Sequence, residues 1–114
     1  MKIIRKNESV PFRNNESCEV FEYGFEDSEA GIAVAEIKGR YPESGFVAND
    51  KCKEIAYILS GKGKIGLRGE EADLAAGDAV LIEEGREYFW EGDLSIALFS
   101  APPWDAGQCR YSGD

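Results

Sequence analysis

The sequence predicts an all-β chain whose strands close into a sandwich, a jelly roll or a barrel. Three observations carry this expectation. Helical periodicity is hard to find, short β-prone runs recur along the chain, and each run is closed by Gly, Pro, Asn or Asp. Many short strands at such spacing belong to layered or closed β architectures, since each sheet must bury one apolar face.

Taken in order, strands are expected near Lys2–Arg5, Cys18–Tyr23, Ile32–Lys38, Gly45–Asn49, Glu54–Leu59, Lys64–Arg68, Glu71–Leu74, Ala79–Ile82, Glu87–Trp90 and Leu94–Ser100. Between them stand Ser60-Gly61-Lys62-Gly63, Arg68-Gly69, Ala76-Gly77-Asp78, Glu84-Gly85 and Glu91-Gly92-Asp93, read as turns. Glycine supplies the positive φ that tight hairpins require. Asn7–Ser17 is polar and reads as a loop or arm, and Gly39–Ser44, with Pro42, as a second loop. Ala101-Pro102-Pro103-Trp104 reads as a stiff segment that lays Trp104 over the barrel mouth or the core. With no internal repeat, linker or low-complexity tract, residues 1–114 are expected to form one domain, with a core over about 31–104 and an N-terminal strand and arm over 1–30. A chain of this size buries roughly two-thirds of its unfolded surface, enough for one core without staples.

Charge and cysteine content narrow the function classes. Thirteen lysines and arginines against 22 acids leave a formal charge of −9. Such a surface repels phosphate backbones and anionic headgroups, so neither nucleic acid nor membrane is an expected partner. No apolar run reaches signal-peptide or membrane-span length. Cys18, Cys52 and Cys109 are widely spaced and odd in number, which points to no disulfide framework or zinc knuckle and to a reducing cytoplasm. Histidine is absent altogether. That removes Ser-His-Asp and Cys-His chemistry and the commonest metal ligand. Catalysis in this chain would fall to carboxylates, Tyr, Lys, Cys or a bound cofactor.

Two stretches resemble the paired motifs of the cupin superfamily, whose members are small double-stranded β-helix (jelly-roll) barrels. The first motif usually reads G, five residues, HxH, three or four residues, E, six residues, G. Here six residues separate Glu54 from Gly61, inside a Tyr57-Ile58-Leu59-Ser60-Gly61-Lys62-Gly63 run similar to the family's strand and hairpin. The second usually reads G, five residues, P, x, G, two residues, H. Gly77 begins it, Gly85 falls at the expected spacing, Glu83 takes the proline position and Tyr88 the histidine position. The HxH positions fall at Ala48 and Asp50, or at Val47 and Asn49, so of four usual ligands only Glu54 remains. Tyr41-Pro42-Glu43, Gly45, Asn49, Cys52, Glu54, Tyr88, Trp90, Trp104 and Gln108 are similar to a subgroup of small cupins with tyrosine and tryptophan in the second motif. The resemblance spans roughly Gly31 to Trp104 and implies the barrel fold; the activities of the superfamily are too varied to imply one.

Strand alternation sets Glu54, Ala56 and Ile58 on one face and Ile55, Tyr57 and Leu59 on the other. If Glu54 keeps the family position it points into the barrel, where confinement raises a carboxyl pKa toward the range useful for proton transfer. Otherwise it is a rim charge with a hydrogen-bonded neighbour. Tyr88 and Trp90 share a face and either line a pocket or fill the space left by metal and histidines. Asn49 suits recognition of a hydroxyl or carbonyl, or is a turn residue beside Asp50. Cys52, between Lys51 and Lys53, is either a thiol made reactive by their charge or an ordinary small residue. A metal set of Cys52, Asp50 and Glu54 would mix soft and hard ligands without imidazole.

Four readings follow. The first is a metal-free, cofactor-free barrel that binds a polar small molecule, a sugar or organic-acid derivative, through Asn49, Cys52, Glu54, Tyr88 and Trp90. The second makes that pocket an isomerase, epimerase or lyase with Glu54 and Tyr88 as the catalytic acid–base pair. The third is a metal enzyme with an unusual ligand set. The fourth is a homodimeric sensor or scaffold using the outward Ile55, Tyr57 and Leu59.

Overall fold

A computed structural model describes residues 1–26 and 28–113. Nine strands make it up: β1 (Val10–Asn15), β2 (Cys18–Tyr23), β3 (Gly31–Tyr41), β4 (Phe46–Asn49), β5 (Lys53–Leu67), β6 (Glu70–Ala75), β7 (Ala79–Ile82), β8 (Tyr88–Ala101) and β9 (Cys109–Ser112). They join one curled sheet in the order β1-β2-β3-β8-β4-β9, with β5 on β8 and β6 and β7 on β5. Among the described residues every strand pairing is antiparallel. The all-β jelly-roll expectation holds.

The two longest strands organise the rest. β8 pairs with β3 from Gly31↔Ser100 to Tyr41↔Trp90, and with β5 from Lys53↔Ala101 to Leu67↔Tyr88. Alternation along β5 buries Glu54, Ala56 and Ile58 and exposes Ile55, Tyr57 and Leu59. The inner faces meet in a core around Ile37, Val47, Ile58, Leu94 and Ile96, each almost wholly removed from solvent. Cys18 and Val20 of β2 join that core, so it reaches beyond residues 31–104 toward the N-terminus.

Two expected turns are not turns. Ser60–Gly63 and Glu91–Asp93 lie inside β5 and β8, which run through them and face each other at Gly63↔Gly92. The register slips between Ile58 and Ser60, and Gly61 and Gly92 take φ of +91° and +130°. A Cβ at Gly61 would run into the Asp93 carbonyl oxygen, and one at Gly92 into the backbone of Gly63. These glycines let two long strands bend together at a barrel corner, a job that uses the same backbone freedom as a hairpin. Arg68-Gly69, Ala76-Gly77 and Glu84-Gly85 are turns as expected.

Three further expectations need correction. Lys2–Arg5 forms no strand; a 3-10 turn follows it at Lys6–Glu8, fastened by the Arg5 N–H to Glu8. Within the expected loop Asn7–Ser17, β1 is a strand, paired on one side only, against β2. An edge strand can carry Pro11 and polar side chains, which is why its composition reads as loop. Beyond the Pro102-Pro103 segment a last strand, β9, closes on β4 from Phe46↔Ser112 to Asn49↔Cys109.

Candidate functional site

The inner faces of β2, β3, β5 and β8 leave one end of the barrel unfilled, as a cavity of about 50 Å³. That is room for on the order of four waters. Asn49, Glu54, Tyr88 and Trp90 all line it, so the structure brings these four expected residues together. Glu54 projects from the inward row of β5, Asn49 from the end of β4, and Tyr88 and Trp90 from the first turns of the pleat of β8. The second-motif glycine helps hold this arrangement: the Gly85 N–H donates to the Asn49 carbonyl at 2.7 Å.

Asn49 is the hub. Its Nδ2 donates to Glu54 Oε1 at 3.0 Å and lies 3.5 Å from the Tyr88 hydroxyl. Its Oδ1 accepts from the Trp104 indole at 2.9 Å and from the Cys109 thiol at 3.4 Å. Every polar atom of a buried amide is thereby used, which is what burial demands. The tail after β8 thus lays Trp104 over the cavity, and the Trp104 N–H bonds Ser100 Oγ at 3.2 Å.

Burial and charge set the proton affinities. Burial first, then the Glu22 carboxylate, pushes Glu54 up to about 7, against the pull of the Asn49 hydrogen bond. Burial and the Glu54 charge hold the Tyr88 phenol well above its ordinary value, so it stays a donor. Trp90 meets Tyr88 edge to face, centroids 6.1 Å apart, and fixes the ring. A carboxyl poised near neutrality beside a protonated phenol can exchange a proton with a bound molecule and donate a hydrogen bond to it.

Cys52 stands apart and corrects one expectation. It is buried but absent from the cavity wall, and its backbone N–H, like that of Lys51, donates to Gln108 Oε1, at 2.9 and 3.0 Å. Burial and the Glu54 charge push its thiol up to about 11, the reverse of activation by Lys51 and Lys53, which are exposed. Residues not singled out as site groups also line the cavity: Glu22, Tyr41, Cys109 and Phe12. Their positions depend on the curl of the sheet, which no local pattern reports.

The cupin frame implies a metal held where HxH, Glu and His converge, and the donor set here does not fit one. Val47 and Ala48 offer no donor atom, Asn49 is committed to its neighbours, and Tyr88 is a neutral phenol. Asp50 points outward to Arg110 at 3.2 Å, so Cys52, Asp50 and Glu54 do not form the mixed set considered above. Among the described residues no three His, Cys, Asp or Glu side chains are grouped to hold a metal.

Comparison with known proteins agrees with the frame. Streptomyces Pac13, in a tyrosine-to-phenylalanine variant with uridine, superposes with TM-score 0.87 at 19% identity, over 99% of this chain and 91% of that one. That protein is described as a nucleoside dehydratase. A protein from Planctomyces limnophilus gives 0.83 at 16% identity, over 97% and 96%. Ectoine synthase from P. lautus gives 0.76 at 12% identity, over 98% and 90%. Comparison with curated proteins finds no match. Among the described residues no helix is long and apolar enough to cross a membrane. Residues 40–97 match the EutQ-like cupin domain family, a stretch that takes in both motifs, the bend glycines and the cavity residues Asn49, Glu54, Tyr88 and Trp90; the chain belongs to that family and so to the cupin superfamily.

Proposed function

We propose that the barrel cavity binds a polar small molecule without a metal, through Asn49, Glu54, Tyr88 and Trp90. The observation that carries this reading is Glu54, a carboxyl only 6% exposed yet lining the cavity and held, among the described residues, by a single hydrogen bond. A buried carboxyl is costly unless something uses it. The uridine of Pac13 supports a hydroxylated, sugar-bearing ligand class. Thermal melts of Glu54→Gln and Tyr88→Phe test it: a ligand that raises the melting temperature of the parent should lose most of that shift in both. Undiminished shifts would take these residues out of the site.

A second reading makes the site catalytic, and the proton affinity of Glu54, near 7, favours it. Glu54 would accept a proton from carbon while Tyr88 donates to the oxygen that gains charge, as in isomerisation, epimerisation or elimination of water. Elimination is the reaction class named for Pac13. Rates that rise with pH through about 7 in the parent, and lose that rise in Glu54→Gln, are the expected signature. A profile unchanged by the substitution would sink the catalytic role.

We infer a homodimer from the outer face. Ile55, Leu81 and Phe99 are neighbours across β7, β5 and β8, and Tyr57 and Leu59 continue the patch, each between 44% and 59% exposed. Light scattering that gives a monomer at micromolar concentration would remove this interface. The free Cys18, Cys52 and Cys109 support a reducing compartment, the cytoplasm.

A further inference from the structure

A second carboxylate faces the same cavity. Glu22 of β2 is half-buried and lines it with Glu54. On the inner face one row runs Glu22, Ala33, Leu98, Ala56, and the next runs Gly31, Ser100, Glu54. The two acids are three strand steps and one row apart, about 16 Å if the sheet were flat. Its curl brings them into electrostatic reach, for the Glu22 charge is second only to burial in raising the Glu54 carboxyl. Small side chains, Ala33 and Ser100, pave the floor between and leave the space open.

Nothing balances this charge. Among the described residues no lysine or arginine lines the cavity, and the chain has no histidine. Within those residues the Glu22 carboxylate has no hydrogen-bond or ion-pair partner, and Glu54 has one, through Oε1. The remaining wall includes Tyr88, Trp90, Trp104 and Phe12, whose ring faces carry negative charge. An anion in this space would face two carboxylates without a counter-charge, so the organic-acid half of the ligand expectation fits badly. A neutral polyol would make hydrogen bonds but leave the carboxylates repelling each other. A cation relieves that repulsion and uses the rings.

We propose that the cavity's occupant carries a positive charge, a small hydroxylated organic ammonium ion held between Glu22 and Glu54 against the aromatic wall. This rests on the reading of the cavity as a small-molecule site. Three probes on one three-carbon skeleton test the charge: serinol as the ammonium, glycerol as the neutral form and glycerate as the anion. The full chain is titrated with each at pH 8, following the indole N–H signals of Trp90 and Trp104.

Serinol is expected to shift both signals and to bind at least about tenfold more tightly than glycerol or glycerate. Glu22→Gln should weaken serinol about tenfold. Glu84→Gln, the same change of net charge at an exposed turn, should leave its affinity unaltered. Glycerol or glycerate binding as well as serinol overturns the charge assignment and leaves the cavity reading standing. Equal serinol affinity in Glu22→Gln and the parent also overturns it. Silence from all three probes overturns both readings. The comparison of probes on the parent needs no variant, so a poorly folded Glu22→Gln would not spare the proposal.

Discussion

Asn49 donates a 3.0 Å hydrogen bond to Glu54 and accepts one of 2.9 Å from the Trp104 indole. One amide therefore couples the cavity's acid to the tail that covers it. The Asn49 bond is also the one influence that lowers the proton affinity of Glu54. In Asn49→Ala the Glu54 carboxyl should titrate above 7, and the orphaned indole and carboxyl should cost about 1–3 kcal/mol of stability. Carbon-13 titration of the Glu54 carboxyl and urea unfolding measure the two effects. A Glu54 that titrates lower in the variant would contradict the hydrogen-bond assignment.

Glu54 itself makes stability depend on pH. Its folded value, about 7, lies above the unfolded reference of 4.5, so the folded state holds the proton more tightly. Below pH 4.5 both states are protonated and the group contributes nothing; stability then falls as pH rises through the window from 4.5 to 7. The full penalty above pH 7 is on the order of 3 kcal/mol. Glu54→Gln should accordingly be more stable than the parent at pH 8, with the advantage gone near pH 4. Denaturant melts of both proteins at several pH values check it, and a parent that is the more stable at pH 8 refutes it.

Backbone bends at the barrel corner should be intolerant of side chains. Gly61→Ala meets both a positive φ and the Asp93 carbonyl, whereas Gly69, at φ +86°, has open space around its Cβ position. Gly61→Ala is expected to lose more than about 2 kcal/mol, and Gly69→Ala about 1 kcal/mol. Urea midpoints for the pair give the comparison, and equal losses would argue against the close approach.

Cys52 should be inert in the folded protein. Its thiol is buried and held near 11, so at pH 8 little thiolate forms and little reagent reaches it. Alkylation followed by peptide mapping should find Cys52 unmodified under native conditions and fully modified in denaturant. Rapid native labelling would restore it as a reactive group.

Much of the frame is legible in local pattern, because period-two alternation and glycine spacing report strands directly. The strand Cys18–Tyr23 and the strand Ala79–Ile82 emerge with their observed bounds, and Glu54 falls on the buried face of β5 as alternation requires. Glycine is ambiguous where it matters most. Gly61 and Gly92 need positive φ in a turn or in a bend, and only the pairing of β5 with β8 decides between them. Edge strands β1 and β9 escape notice because solvent, not a core, faces most of their side chains. At the site, motif positions bring out Asn49, Glu54, Tyr88 and Trp90. Glu22 lies 32 positions before Glu54 in the chain, and only long-range curvature joins them.

The cavity draws its wall from two regions with different histories open to them. Asn49, Glu54, Tyr88 and Trp90 belong to the stretch matched by the family, 40–97, whereas Phe12, Glu22, Trp104 and Cys109 lie outside it. Substitutions in the flanks could therefore redraw what the barrel admits while the matched stretch drifts little. Two paralogues alike over those 58 positions need share no occupant, and inheritance of the barrel is no guide to inheritance of its cargo.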